Sequence, residues 1–325
     1  VSDLLIGALS ALLATNQPAA LSNLVKSVAG ISVQVPDKSD PVEAEFHRLM
    51  EADDLAQAEV DDWIKENNAF AAKGAAVDRA TLNARIEKRF APVRKGYEDF
   101  LEKHPKHAGA LLAYGSFLND IGEEMEAHDY WERARVAEPS NAAAWNNLAN
   151  WYGHNSPVSK SFEYYEKAIQ LEPTESVYWH NLATTVYMFR HDATNYYNID
   201  VQKVFEKAMG LYRKALELDP NNFILATDYA QSYYGFKPTK TGNADDDRKA
   251  ELRHWDEAIK AWKAALEIAR DDIERQGVYM HFARIQINAG RIDEARRHLN
   301  NVTNEMFAVT KGNLTKKIAN REASK

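Results

Sequence analysis

The chain of 325 residues contains no cysteine. That excludes disulfides, thiol catalysis and thiolate metal sites, while leaving the cellular compartment open. Catalytic signatures are missing too: there is no GxSxG elbow, no glycine-rich phosphate loop and no HExxH. An excess of positive charge is lacking. The formal net charge is −8 and the pI is near 5.7, which argues against a nucleic-acid binder and its basic face. The apolar run LLIGALSALLA, residues 4–14, is too short to span a bilayer as a helix, so no transmembrane segment is expected.

The few residues that could hold a metal are poorly spaced for it. His104 and His107 flank a turn at Pro105 and lack the further ligands a zinc site needs. NADDD at 243–247 lacks the glycine and terminal glutamate of a calcium loop, and reads as a solvated insertion. NVT at 301–303 and NLT at 313–315 fit the glycosylation triplet, which only a secretory eukaryotic setting would use. The expectation is a non-enzyme with no cofactor and no metal.

What the chain does have is a ruler. Pro105, Pro139 and Pro173 lie 34 residues apart. Each closes a segment holding an aromatic-rich helix, a turn and a second helix. One unit carries Leu111, Tyr114, Gly115 and Leu118, then Ala127, Trp131 and Ala134. The next carries Trp145, Leu148, Ala149 and Tyr152, then Ser161, Tyr165 and Ala168. A third runs through Trp179, Leu182, Ala183 and Val186 to Ala208, Tyr212, Ala215 and Pro220. Its closing interval is 47 residues, which places an insertion near 189–200. The fourth carries Ala226, Tyr229, Ala230 and Tyr233, then Ala258, Trp262 and Ala265. It ends at Arg270 with an insertion near 235–251. A fifth holds Tyr279, Phe282, Ala283, Gly290, Ala295 and Leu299. Upstream, Tyr97, Phe100 and Pro105 close a degenerate unit whose first helix is expected at 78–90.

This spacing and the large–small alternation resemble the tetratricopeptide (TPR) repeat, and AAAWNNLANWY is close to that family's consensus. The resemblance covers residues 78–305. It implies an all-α, right-handed superhelical α-solenoid of five to six helical hairpins. Residues 1–41 form an apolar N-terminal arm and linker, 42–77 a helical lead-in, and 306–325 a basic C-terminal tail read as a solvated helix end. Trp131, Trp145, Trp179 and Trp262 are expected to be buried between helices.

The resemblance also implies a function: a non-catalytic scaffold for protein–protein interaction. In the family, the first helix of each hairpin (helix A) lines a concave groove that holds a protein or peptide. The matching positions here are Asn146, Asn150, His180, Thr184, Tyr187, Asp228, Gln231, Tyr234 and Arg284. Asn147, Asn181 and Thr227 stand beside them, with roles in satisfying neighbouring helices as the competing reading. The family's carboxylate-clamp subgroup uses lysine and arginine here, whereas Arg284 is the one well-placed cation.

The arm suggests self-assembly. Leu4, Leu5, Ile6, Leu9, Leu12 and Leu13 are followed by amphipathic Leu21, Leu24, Val25 and Val28, then by a strand-like run at Ile31, Val33 and Val35. Burying each large apolar side chain contributes about 1.5–3 kcal/mol, enough to sustain docking on the first hairpin or on another copy of the chain. A homopolymeric filament or ring, and an accessory subunit of an enzyme complex, are therefore carried as alternatives. Val1 in place of Met suggests processing. Loss of a secretory signal would give an exported, periplasmic or extracellular protein, and trimming would equally explain it.

Overall fold

The computed structural model describes residues 40–71 and 76–323. All regular structure among them is helical. The chain divides into two compact units, one ending at Pro173 and one beginning at Thr174. The self-association residues Leu4 to Val28 lie outside the described residues.

The first unit holds three antiparallel hairpins. They are α1 (Pro41–Ala71) with α2 (Arg79–Lys103), α3 (Ala108–Asp120) with α4 (Glu124–Ala137), and α5 (Ala142–Asn155) with α6 (Val158–Leu171). The second unit begins with α7 (Ser176–Met188), the short α8 (Arg190–Tyr197) and α9 (Val201–Leu218). It continues through α10 (Phe223–Ser232), α11 (Ala244–Glu267), α12 (Asp272–Ala289), α13 (Ile292–Asn300) and α14 (Ala308–Ala323). Here α7 pairs with α9, α10 with α11 and α12 with α13.

Prolines end the helices by a local steric rule. A residue before proline is pushed out of the α region. His104, Glu138, Glu172 and Asp219 precede Pro105, Pro139, Pro173 and Pro220, and all have φ between −127° and −139° with ψ between 63° and 84°. Each still donates its N–H to the carbonyl four residues back. Two residues after each proline comes the N-cap of the next helix. His107 Nδ1 accepts from Ala110 N at 3.0 Å, and Asn222 Oδ1 accepts from Leu225 N at 3.0 Å. At Arg270, where proline is absent, Asp271 caps α12 by accepting from Glu274 N at 2.8 Å.

The small repeat positions allow the close approach that hairpins need. Ala127, Ala134, Ala149, Ala168, Ala183, Ala208, Ala215, Ala230, Ala258, Ala265, Ala283 and Ala295 are all fully buried. At Gly115 a Cβ would come within 2.6 Å of the Trp131 ring, so α3 meets α4 there only without a side chain. Around these points Trp131, Leu148, Tyr165, Leu182, Tyr212, Trp262 and Phe282 fill the interior.

Three expectations need correction. Trp145 and Trp179 are half-buried, not buried. The inward stripe at these two helices runs one residue earlier, through Ala144 and Leu148, and through Tyr178 and Leu182. Trp145 is left flanking the hairpin. It donates from Nε1 to the Pro139 carbonyl at 2.9 Å, meets Tyr164 edge-on at 5.1 Å, and lies under the Arg135 guanidinium at 5.0 Å.

The second concerns the degenerate unit. Residues 79–103 are one continuous helix that runs through Pro92, so no hairpin turns near residue 90. The partner of α2 is α1. Tyr97 donates to Asp53 at 2.7 Å, Arg89 pairs with Glu59 at 2.7 Å, and Lys103 pairs with Glu45 at 2.9 Å.

The third concerns the C-terminal tail, whose Lys316, Lys317 and Arg321 are exposed but whose apolar side is not solvated. It is helix α14, docked on α12 and α13 through buried Leu314 and Ile318. Buried Gln276 fixes its approach: Oε1 accepts from Thr303 N at 2.7 Å and from Asn304 N at 2.8 Å.

The two classes of tryptophan should separate in stability measurements. Trp262→Ala should cost about 3–5 kcal/mol, as for a large core aromatic, and Trp145→Ala under about 2 kcal/mol. Urea unfolding of both variants checks this, and equal losses would contradict the packing described.

Candidate functional site

The expected groove residues fall in both units. In the unit ending at Pro173, the structure removes one of them. Asn146 is fully buried and donates to Asn147 Oδ1 at 3.3 Å. Asn147 in turn donates to Ser116 Oγ at 3.3 Å, which ties α5 to α3. Asn146 therefore serves packing and cannot touch a guest. Asn150 is half-buried and accepts a hydrogen bond from the Tyr165 hydroxyl.

In the second unit the A helices are α7, α10 and α12. His180 and Thr184 stand one turn apart on α7, so they share a face. His180 Nε2 meets Asp228 Oδ2 of α10 at 2.9 Å. Thr184 Oγ1 lies 2.9 Å from the hydroxyl of Tyr212, which rises from α9 behind it. Gln231, one turn beyond Asp228, is half-buried, and its amide makes no hydrogen bond among the described residues. Beyond α10, the Tyr234 hydroxyl lies 3.1 Å from His281 Nδ1 on α12. The Arg284 guanidinium sits 5.5 Å above the Tyr234 ring. Five expected residues thus fall in two groups: His180 with Asp228, Thr184 standing beside them through Tyr212, and Tyr234 with Arg284. The first connects α7 with α10, the second the end of α10 with α12.

Tyr187 does not behave as expected. It is 8% exposed and packed against Gly235, where any Cβ would strike its ring and hydroxyl. It belongs to the wall under the third and fourth hairpins. One member of the face was missed: His281. It occupies the place on α12, just before Phe282 and Ala283, that Asn181 occupies before Leu182 and Ala183. The repeat register would have found it.

The electrostatics favour neutral forms. Burial pushes the Tyr212 hydroxyl up, with the Asp228 charge adding to the effect. Burial likewise pushes Tyr234 up, partly opposed by Arg284. His281 is driven down to about 3, first by burial and then by Arg284, while its ring stacks on Trp262 at 3.9 Å. These shifts run opposite to those that activate a tyrosinate or a histidine acid. The arrangement can donate and accept hydrogen bonds and present one cation.

Asn243, Asp247 and His107 hold helix starts and turns. Asn243 Oδ1 accepts from Asp245 N at 3.0 Å and Asp246 N at 3.3 Å, and Asp247 accepts from Thr241 N at 2.6 Å. His107 caps α3 and meets Glu43 at 2.9 Å.

No family model and no curated protein sequence matches the chain. Solved structures do. The fold is similar to that of pilF from Pseudomonas aeruginosa, with a TM-score of 0.51 at 15% identity, over 83% of this chain and 99% of that one. YrrB, described as a TPR protein with an unusual peptide-binding site, gives a TM-score of 0.48 at 14% identity, over 68% of this chain and 97% of that one. The C-terminal part of a TPR repeat-containing protein from Cytophaga hutchinsonii gives 0.47 at 18% identity, over 81% and 98%. The chain has the fold of TPR-repeat proteins, built of helical hairpins.

The His281 shift has a sign that can be tested. Unfolded, a histidine titrates near about 6.5, so on acidification the unfolded state takes up a proton that the folded state refuses. The contribution of neutral His281 is complete above that pH and is lost as pH falls toward 3. Urea unfolding at pH 7.5 and 4.5 should show a larger acid loss for the wild type than for His281→Gln. Equal losses would place the ring in water.

Proposed function

We propose that the protein is a non-catalytic interaction scaffold that holds an extended peptide segment on the face formed by α7, α10 and α12. The observation that carries this reading is Gln231. Its unengaged amide stands between the His180–Asp228 pair and the Tyr234–His281–Arg284 group. A side-chain amide both donates and accepts, and so matches the alternating N–H and C=O of an extended backbone. The flanking groups are already tied to one another. They offer a fixed surface that loses little side-chain freedom when a guest arrives. Perturbed groups held in their neutral forms suit binding, and nothing on this face resembles an activated nucleophile.

A second reading concerns assembly. The apolar residues Leu4 to Val28 support self-association by their sequence alone. Docking of that arm on another copy would give a head-to-tail contact, hence a ring or filament.

Both readings can be measured. Peptides of random sequence selected against the intact chain should bind the wild type, and Thr184→Trp with Gln231→Trp should weaken them about tenfold or more. Circular dichroism should stay unchanged. Undiminished affinity in that double variant would remove the α7–α10–α12 face from the proposal. Light scattering on the intact chain and on a chain starting at Asp40 should show an oligomer and a monomer respectively. A monomer in both would end the assembly reading.

A further inference from the structure

The two insertions converge on a second feature, a cleft of about 220 Å³. Its walls come from three separate stretches: the end of α7 and start of α8, the first turn of α9, and the loop after Gly235. Among the lining residues are Tyr187, Arg190, Val201, Phe205, Phe236 and Lys237. None of the hairpins needs this cleft, and only Tyr187 is shared with the residues expected in the groove.

The walls are firmly held. Phe236 stacks on Phe205 with ring centroids 4.0 Å apart and planes 11° from parallel. On its other side Phe236 meets His254 at 5.5 Å, and His254 Nε2 is 2.9 Å from the Tyr233 carbonyl. The loop is pinned at its far end, where Thr241 donates from both N and Oγ1 to Asp247, at 2.6 and 2.8 Å. Pro238 restricts Lys237 to extended backbone.

The charge at the rim is unbalanced. Arg190 and Lys237 are exposed, and neither makes an ion pair or side-chain hydrogen bond among the described residues. Three carboxylates of the surrounding segments have partners of their own. Asp200 caps α9 by accepting from Lys203 N at 2.9 Å, Glu206 accepts from Gln202 at 3.2 Å, and Asp247 holds Thr241. Burial raises Tyr187 against the opposing charge of Arg190, and both residues line the cleft. Val201, 53% exposed, adds an apolar lip.

We infer that this cleft takes an acidic peptide segment, seating an aspartate or glutamate carboxylate at Arg190 and Lys237 with an adjacent aromatic or aliphatic side chain against Phe236 and Val201. Charge complementarity selects the carboxylate. Size selects a side chain of a longer chain: small-molecule sites run to about 300–1,000 Å³, and this cleft is smaller. The apolar wall selects a neighbour that a free inorganic anion would lack. This reading stands apart from the α7–α10–α12 face, since the two use different side chains.

The test uses the intact chain and a fluorescein-labelled pentapeptide alternating glutamate and phenylalanine, with its glutamine counterpart as control. Anisotropy should show the glutamate peptide binding about tenfold tighter, as expected for charge-assisted contacts. The preference should weaken between roughly 50 and 300 mM salt, where exposed charges become screened. Arg190→Glu with Lys237→Glu should abolish it, and Phe236→Ala should weaken both peptides. Equal binding of the two peptides would overturn the proposal, as would a preference that survives the double charge reversal. Full competition by millimolar inorganic phosphate would assign the cleft to a free anion instead.

Discussion

The closeness with which paired helices meet governs everything else in this protein. Twelve alanines are fully buried where helices meet and Gly115 leaves no room for a Cβ, and the large residues beside them pack around that approach. A hairpin built this way has an apolar flank it cannot cover alone, so hairpins must stack. The prolines supply the second half of the constraint. They force the preceding residue out of the helix at nearly the same dihedral angles four times, so successive hairpins start from similar turns.

That economy separates packing residues from residues left partly at the surface. On α7, α10 and α12 the alanines and leucines face inward, while His180, Asp228, Gln231, His281 and Arg284 are only partly covered. Hydrogen bonds between neighbouring A helices organise this surface in advance. The insertions follow a different logic. They interrupt the repeat without disturbing the alanine contacts of α7 with α9 or α10 with α11, and build a cleft from segments far apart in sequence.

Much of this was legible because it is local. Proline spacing and alanine positions depend on residues within a few turns of one another. Three things were not. The inward stripe at Trp145 and Trp179 lies one residue earlier than the aromatic pattern suggests, because tryptophan is large enough to look like core wherever it stands. Helix α1 lacks the large–small signature, so its pairing with α2 rests on contacts such as Asp53–Tyr97 and Glu45–Lys103, separated by 44 and 58 residues. Asn146 and Asn150 looked equivalent on the helix, yet Asn146 is spent on the contact with Asn147, one residue along. In the second unit His180 and Asp228, chosen by register, do meet each other, and the same register contained His281.

The most direct test of the central claim is hydrogen–deuterium exchange of the intact chain, alone and with a peptide selected against it. If the A helices of the second unit form the binding face, backbone protection will rise across residues 180–187, 224–234 and 278–286, while α9, α11 and α13 stay unchanged. Protection confined to those three helices, or to the first unit, would contradict it.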